Sequence, residues 1–232
     1  MKRSFARVFL TLFILAAAWP LATVRAAGAA ESGEVAALSP DDVASITRIE
    51  LYLNQLRTMQ SRFVQISSNG SYAEGEVVVS RPGSLRFDYD PPHTALLIAS
   101  GLTLLYYDKE LKQASFLPLW ETPLWWLVRE EVDLTDGLMV MGVEEGLGTL
   151  SVTLRDGENP EGGEVKLVFS DAPLTLRRWE IVDPQGVLTQ VSLVDPRFGI
   201  EGLSRDVPLT GLLAQPFAAQ ADLSDDFRAD RG

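Results

Sequence analysis

A succession of short strand-like segments, separated by turn residues, restricts this chain to a fold built mainly from a β-sheet. In residues 75–128 the first two segments meet at an Arg-Pro-Gly turn at residues 81–83, where proline removes a ladder donor and glycine accepts a positive φ. The second segment alternates Leu85, Phe87 and Tyr89 with polar residues. This alternation is typical of a sheet with one apolar and one hydrated face.

Strand-like segments separated by turn residues continue along most of the chain. Besides the two strands of that stretch, strands are predicted at residues 62–66, 94–99, 103–107, 111–117, 139–143, 149–155, 164–170, 174–182 and 187–194. Because almost every connection is short, neighbouring strands are expected to pair antiparallel in an up-and-down order, giving about 10 or 11 strands.

Two segments have helical patterns instead. Residues 39–42, Ser-Pro-Asp-Asp, offer an N-cap, a proline at the first helical position and an acidic first turn. An amphipathic helix of about five turns is expected over residues 39–59, because apolar residues follow at helical spacing. They are Val43, Ile46, Ile49, Leu53, Leu56 and Met59. Thr122 and Pro123 repeat the cap-plus-proline arrangement and predict a short apolar helix with Leu124, Trp125 and Trp126.

Both apolar helices need a surface on which to dock, and a single curved sheet offers one concave face. Helices on one side of such a sheet make an α+β layer. The concave face is then expected to carry the apolar side chains of the alternating strands, which are Val77, Val79, Leu85, Phe87, Tyr89, Ile98, Leu104 and Tyr106. The alternative is a solid core in which those side chains fill the interior.

The ends of the chain have a different character from its centre. A basic start, an apolar core at residues 8–18 and a small-x-small site predict a signal peptide at residues 1–26. The alternative is an uncleaved anchor, but the apolar run is shorter than the roughly 20 residues that a span needs. Residues 27–38 are then expected to be a flexible leader, residues 39–217 one domain and residues 218–232 a disordered acidic tail.

Composition excludes several classes of function. The chain has no cysteine, so a disulfide framework, thiol chemistry and a cysteine-linked lipid anchor are excluded. Removing the four basic residues of the signal peptide takes the net charge from −12 to −16, which disfavours nucleic acid as a partner. The lone histidine, His93, lies in a predicted loop, and no hydrolase, phosphate-binding or zinc-binding motif occurs. Neither catalysis nor a metal or other cofactor is expected. The protein is expected to be exported, soluble and monomeric.

Several short motifs, in order, resemble a known family, the periplasmic outer-membrane lipoprotein carrier protein LolA. They are Phe63-x-Gln65, Gly75-Glu76, Arg81-Pro82-Gly83-x-Leu85-Arg86-Phe87-x-Tyr89-x-x-Pro92, Gly101 before Leu104-x-x-Tyr107-Asp108, Leu111-x-Gln113, Thr122-Pro123-Leu124, and more weakly Trp179 and Asp183-x-x-Gly186. The resemblance extends to about residue 194. Leu85 stands where the family commonly has phenylalanine, and Ser100 replaces the aspartate of the usual Asp-Gly turn.

The resemblance implies an unclosed antiparallel β-barrel with a helical lid over an apolar cavity. It also implies acylated lipoproteins as cargo, an inner-membrane lipoprotein-releasing ABC transporter as donor, and an outer-membrane acceptor lipoprotein, or the outer membrane itself, as destination. Arg81 matches the arginine that latches the lid in this family. The lid residues would be Ile46, Ile49, Leu53, Leu56, Leu124, Trp125 and Trp126.

Three alternatives remain open at this level. A carrier of the same fold for another amphiphile, such as a glycolipid, would use the same cavity. A membrane-anchored acceptor of similar fold would need a lipidated cysteine, which the chain lacks. A periplasmic domain with a filled core would act only as a protein-binding module.

Overall fold

A computed structural model describes residues 38–122, 124–201 and 203, and for Trp126 it describes the main chain alone. The predicted signal peptide, almost all of the leader and the acidic tail lie outside the described residues. The strands are β1 (Thr58–Ser67), β2 (Tyr72–Ser80), β3 (Ser84–Tyr89), β4 (Ala95–Ser100), β5 (Thr103–Asp108), β6 (Gln113–Pro118), β7 (Leu138–Gly146), β8 (Thr149–Asp156), β9 (Glu164–Ser170), β10 (Thr175–Val182) and β11 (Leu188–Phe198). The α-helices are α1 (Pro40–Gln55) and α2 (Trp125–Val128).

All eleven strands form one antiparallel sheet in the order β6-β5-β4-β3-β2-β1-β11-β10-β9-β8-β7. The first and last strands pair at its centre, and β6 and β7, which are consecutive in the chain, form its two edges. No ladder joins β6 to β7 in the described part of the chain, so the barrel is open. The predicted unclosed antiparallel barrel with a helical lid is confirmed.

Helix α1 begins as its sequence predicts. Ser39 is the N-cap: its hydroxyl accepts from the Asp42 amide at 3.1 Å, and the Asp42 carboxylate accepts from the Ser39 amide at 2.8 Å. This is a reciprocal capping box. The helix ends at Gln55, four residues before the predicted end. Met59 lies in β1, because Thr58 and Met59 pair with Ser80 and Val79 of β2.

The capping box predicts a pH-dependent contribution to helix stability. Hydrogen bonds from the Ser39 hydroxyl and then the Ser39 amide lower the pKa of Asp42. Because its pKa is lower in the folded state, the ionised carboxylate stabilises the fold at pH values above its ordinary pKa. This stabilisation is lost as the pH falls through the lowered pKa. Asp42→Asn is therefore expected to lower the melting temperature at neutral pH, with a difference that disappears in strong acid. A constant difference across thermal melts from pH 7 to pH 2 would contradict this.

Several predicted boundaries needed correction. β1 begins earlier than predicted, at Thr58, and β7 ends later, at Gly146. β6 begins at Gln113, because Leu111 lies in the preceding turn and is exposed. β11 continues beyond the predicted end to Phe198, since a bulge with Asp195 at φ 50° takes up the irregularity and pairing with β1 resumes at Arg197. Thr122 does not cap α2: its hydroxyl donates to the Leu119 carbonyl at 2.8 Å, within the preceding 3₁₀ turn.

The buried apolar residues divide between the two faces of the sheet. The main cluster lies on the concave side, where α1 packs against the strands. A smaller cluster on the convex side contains Leu96, Ile98 and Leu105, with Tyr107 and Ala114 against it. The concave face is therefore the one covered by the helical layer.

Candidate functional site

The connection from β6 to β7, called here the crossover segment (residues 119–137), joins the two edges of the sheet. Because those edges lie at opposite ends of the strand order, this segment runs across the open side of the barrel. Its side chains Leu119, Val128, Val132 and Leu134 are all buried in the main apolar cluster. Together, α1 and the crossover segment cover the concave face, and they are called here the lid.

Most of the side chains predicted to line the concave face do lie there. Val77, Val79, Leu85, Phe87 and Leu104 are buried in the main cluster, and Tyr89 packs against it. Tyr106 shares the face of Leu104 by strand alternation, but it is half-buried and lies outside the cluster.

The prediction for Ile98 was wrong. It is fully buried, but in the convex cluster with Leu96 and Leu105, while its neighbours Leu97 and Ala99 belong to the concave cluster. The concave face of β4 is thus formed by the residues on either side of Ile98.

Side chains of the lid occupy the concave side in this form of the molecule. Ile46, Ile49 and Leu53 of α1 are buried against the strands, as is Leu56 directly after the helix, and Leu124 and Trp125 pack on the same cluster. The side chain of Trp126 and the whole of Pro123 lie outside the described residues. The interior is therefore filled by side chains, as in the solid-core alternative.

Arg81 lies in the turn between β2 and β3 and is only 2% exposed. Its Nη1 donates to the Leu53 carbonyl and, at 3.4 Å, to the Leu56 carbonyl, at the end of α1. Its Nη2 donates to the Arg129 and Glu130 carbonyls at 2.6 and 3.3 Å, and Nε donates to the Arg129 carbonyl at 3.1 Å. One side chain of the sheet therefore contacts both pieces of the lid.

The Arg81 charge is held without a carboxylate among the described residues, since every acceptor of its guanidinium is a main-chain carbonyl. Burial lowers the pKa of Arg81 to about 10, and the nearby cations Arg57 and Arg129 act in the same direction. The side chain thus stays protonated at neutral pH. Because the last turn of α1 has no basic residue of its own, Arg81 supplies the cation that favours a helix C-terminus.

The main chain of the same turn is also fixed to the lid region. The Arg81 amide donates to the Arg57 carbonyl, just beyond α1, at 2.7 Å. The Gly83 amide donates to the Val128 carbonyl in α2, also at 2.7 Å. These bonds do not involve the guanidinium, so they survive substitution of the side chain.

Two side chains of α1 hold the crossover segment directly. The Asn54 amide nitrogen donates to the Val132 carbonyl at 2.9 Å, and the Val132 amide donates to Asn54 Oδ1 at 2.8 Å. The Leu134 amide donates to Glu50 Oε1 at 2.8 Å. Sequence analysis missed both residues, because their partners are about 80 positions away and local spacing carries no signal of them.

Asn54→Ala is expected to loosen this junction. The substitution leaves the Val132 amide and carbonyl without their partners, and an unsatisfied buried group costs about 1 to 3 kcal/mol. Amide hydrogen exchange at Val132 should then accelerate by about tenfold or more. Exchange at Thr135, whose amide donates to Asp133 at 2.8 Å, provides the internal control. Unchanged protection at Val132 would mean that Asn54 does not hold the segment.

An aromatic row crosses the concave face. The ring of Phe63 meets those of Phe87 and Tyr89 edge to face, each at 5.1 Å between centroids, and Phe87 meets Trp179 at 6.1 Å. At the end of this row the Tyr89 hydroxyl donates to Gln65 Oε1 at 2.8 Å. Burial raises the pKa of Tyr89 to about 12, with a smaller contribution from Tyr106. Sequence analysis quoted Gln65 within a motif but gave it no role.

Other kinds of site were also sought in the described residues. No helix among them combines the length and apolar character required to cross a bilayer. No group of three or more histidine or carboxylate side chains within the described ranges is arranged to hold a metal ion.

Known proteins resemble this chain in sequence. A family model described as outer membrane lipoprotein carrier protein LolA matches residues 54–199. The outer-membrane lipoprotein carrier protein of Methylococcus capsulatus is 27% identical over 165 residues, covering 66% of this chain and 77% of that protein. That of Azotobacter vinelandii is 37% identical over 86 residues, covering 34% of this chain and 42% of that protein. A solved Vibrio parahaemolyticus domain named for outer-membrane lipoprotein sorting gives a TM-score of 0.47 at 11% identity, covering 72% of this chain and 97% of that domain.

Proposed function

The chain belongs to the LolA family of outer membrane lipoprotein carrier proteins, and from this premise we propose that it carries acylated lipoproteins through the periplasm. It takes its cargo from an ABC transporter of the inner membrane that releases lipoproteins. It delivers the cargo to an acceptor lipoprotein of the outer membrane, or to that membrane itself. It does so as a monomer, by binding and release rather than by catalysis.

The observation that carries this proposal is the set of contacts made by Arg81. A latch that only holds a lid should bind the main chain of both lid pieces and should be breakable without unfolding the sheet. The guanidinium meets both conditions, since it donates to carbonyls of α1 and of the crossover segment from a turn of the sheet. Beneath it lie the apolar strand residues that acyl chains would contact once the lid has withdrawn.

The energetics of the cargo explain why a lid is needed. Exposing hydrocarbon to water costs about 0.8 kcal/mol per methylene, so an acyl chain of roughly fifteen carbons represents about 10 kcal/mol. A soluble carrier must therefore cover the chains throughout transit. A protein interior is about as apolar as a bilayer, so transfer from membrane to carrier gains little free energy. The direction of transport then comes from the energy of the donor and from a closed empty state that competes with the loaded one.

Recovery of bound material tests the proposal. The full-length chain is expressed in a Gram-negative host and purified from the periplasm, and organic extracts are analysed by mass spectrometry. Acylated peptides are expected, at higher occupancy in Arg81→Leu than in the wild type. A glycan headgroup would instead identify the carrier of another amphiphile. If both proteins are empty and neither binds an apolar fluorescent probe, the carrier function is overturned in favour of a filled protein-binding module.

A further inference from the structure

The concave face is not uniformly apolar along its length. At the Arg81 end, the strands contribute Met59, Val79 and Leu85, all buried in the main cluster. By strand alternation β1 presents Met59, Ser61, Phe63, Gln65 and Ser67 on this face. The Ser61 hydroxyl is bonded to the Arg62 and Val194 carbonyls, and Gln65 and Ser67 lie at the opposite end from Arg81. Any ligand lying along this face would therefore meet hydrocarbon at one end and polar groups at the other.

Several polar side chains gather at that second end. Tyr89 is paired with Gln65, as described above, and the hydroxyls of Ser67 and Thr189 are 2.9 Å apart. Tyr106 lies two strands from Tyr89 on the same face, by strand alternation. Polar groups on a surface otherwise filled with apolar side chains are costly to desolvate unless they have partners.

The Gln65–Tyr89 pair retains unused hydrogen-bonding capacity. Its bond uses Oε1 of the glutamine and the hydrogen of the phenol. A glutamine amide nitrogen carries two donors, and no described residue accepts from Gln65 Nε2. Gln65 is half-buried, so a ligand that reached it would meet two donors at the margin of an apolar floor.

We propose that Gln65 and Tyr89 form a binding site for the ester-linked glyceride part of an acylated ligand, with its hydrocarbon chains lying toward Arg81. Ester carbonyls accept hydrogen bonds and donate none, which matches the donors of Gln65. The saturated chains match the floor of Val77, Val79 and Phe87. This inference rests on the proposed carrier function and adds the orientation of the ligand and the residues that recognise its polar linkage.

A pair of lipids that differ only at the linkage tests the inference. Dioctanoylglycerol carries two ester carbonyls, and the dioctyl ether of glycerol has the same chains and hydroxyl without them. The affinity of each lipid is measured by its displacement of a fluorescent apolar probe from the purified full-length protein. The wild type is expected to bind the ester about fivefold more tightly than the ether, the ratio that one hydrogen bond gives. Gln65→Leu is expected to abolish this preference, and Tyr89→Phe to reduce it, while ether binding stays constant.

Tyr72→Phe is the matched control, because it removes the hydroxyl of an exposed tyrosine, which donates to the Glu74 carboxylate. It should leave the preference unchanged. Equal binding of the two lipids by the wild type, or a full preference in both Gln65→Leu and Tyr89→Phe, would overturn the assigned site while leaving the carrier function in place. If neither lipid displaces the probe from the wild type or from Arg81→Leu, the carrier function fails, and the inference fails with it.

Discussion

Arg81→Leu is expected to favour the open, loaded form and to slow the release of cargo. The substitution removes all five hydrogen bonds of the guanidinium to four lid carbonyls. A hydrogen bond to a charged group contributes about 1.5 to 3 kcal/mol, so even a partial net loss shifts the closing equilibrium by about tenfold or more. The fold should persist, because the turn keeps its main-chain bonds to Arg57 and Val128.

The measurement is the rate at which loaded protein gives up a labelled lipoprotein to outer-membrane vesicles. Arg57→Leu removes the same charge at an exposed position and should release cargo at the wild-type rate. Arg81→Lys retains the charge but not the planar fork of donors, so an intermediate rate is expected. If Arg81→Leu releases cargo as fast as the wild type, Arg81 is not the latch.

Gly75→Ala is expected to be the most destabilising single-methyl substitution that the described strands offer. A Cβ at Gly75 would lie 2.1 Å from the Asp88 carbonyl oxygen and 2.8 Å from the Phe63 ring. The first contact is to main chain, so β2 and β3 must separate, and Phe63 has little freedom within its aromatic row. Overpacking of this kind costs about 1 to 3 kcal/mol, which corresponds to a fall of roughly 2 to 12 °C in the melting temperature of a domain of this size.

Thermal denaturation followed by circular dichroism measures this change. Gly142→Ala is the control, because Gly142 also lies in a strand and a Cβ there would meet no atom within 4 Å. It should melt within about 2 °C of the wild type. Equal melting temperatures for Gly75→Ala and Gly142→Ala would show that the strands yield at Gly75 without cost.

Much of the fold could be predicted because its signals are local. Strict alternation in β3 assigned Leu85, Phe87 and Tyr89 to one face, and the Ser39 cap located the start of α1. Ile98 was assigned to the wrong face because residues 95–99 are apolar throughout, so a period of two cannot choose a side. Met59 fits both a helical and an alternating spacing, which is why the end of α1 was placed too late.

The site was harder to predict because its contacts are long-range. The family resemblance singled out Arg81, but the particular main-chain carbonyls that accept from it were not predicted. Asn54 and Glu50 gave no such signal, since a polar residue on a helix is usually solvated and their partners depend on the path of the crossover segment. The filling of the interior likewise depends on how deeply that segment sits, which the order of strands alone does not determine.

The pairing of β1 with β11 bears on how a newly made copy acquires its structure. A chain that emerges amino end first presents β1 long before β11 exists, so the central ladder of the sheet cannot close until synthesis is nearly complete. Ladders between such distant segments close slowly. The polypeptide would thus remain incompletely folded, and could still pass through a narrow channel, until β11 is available to pair with β1.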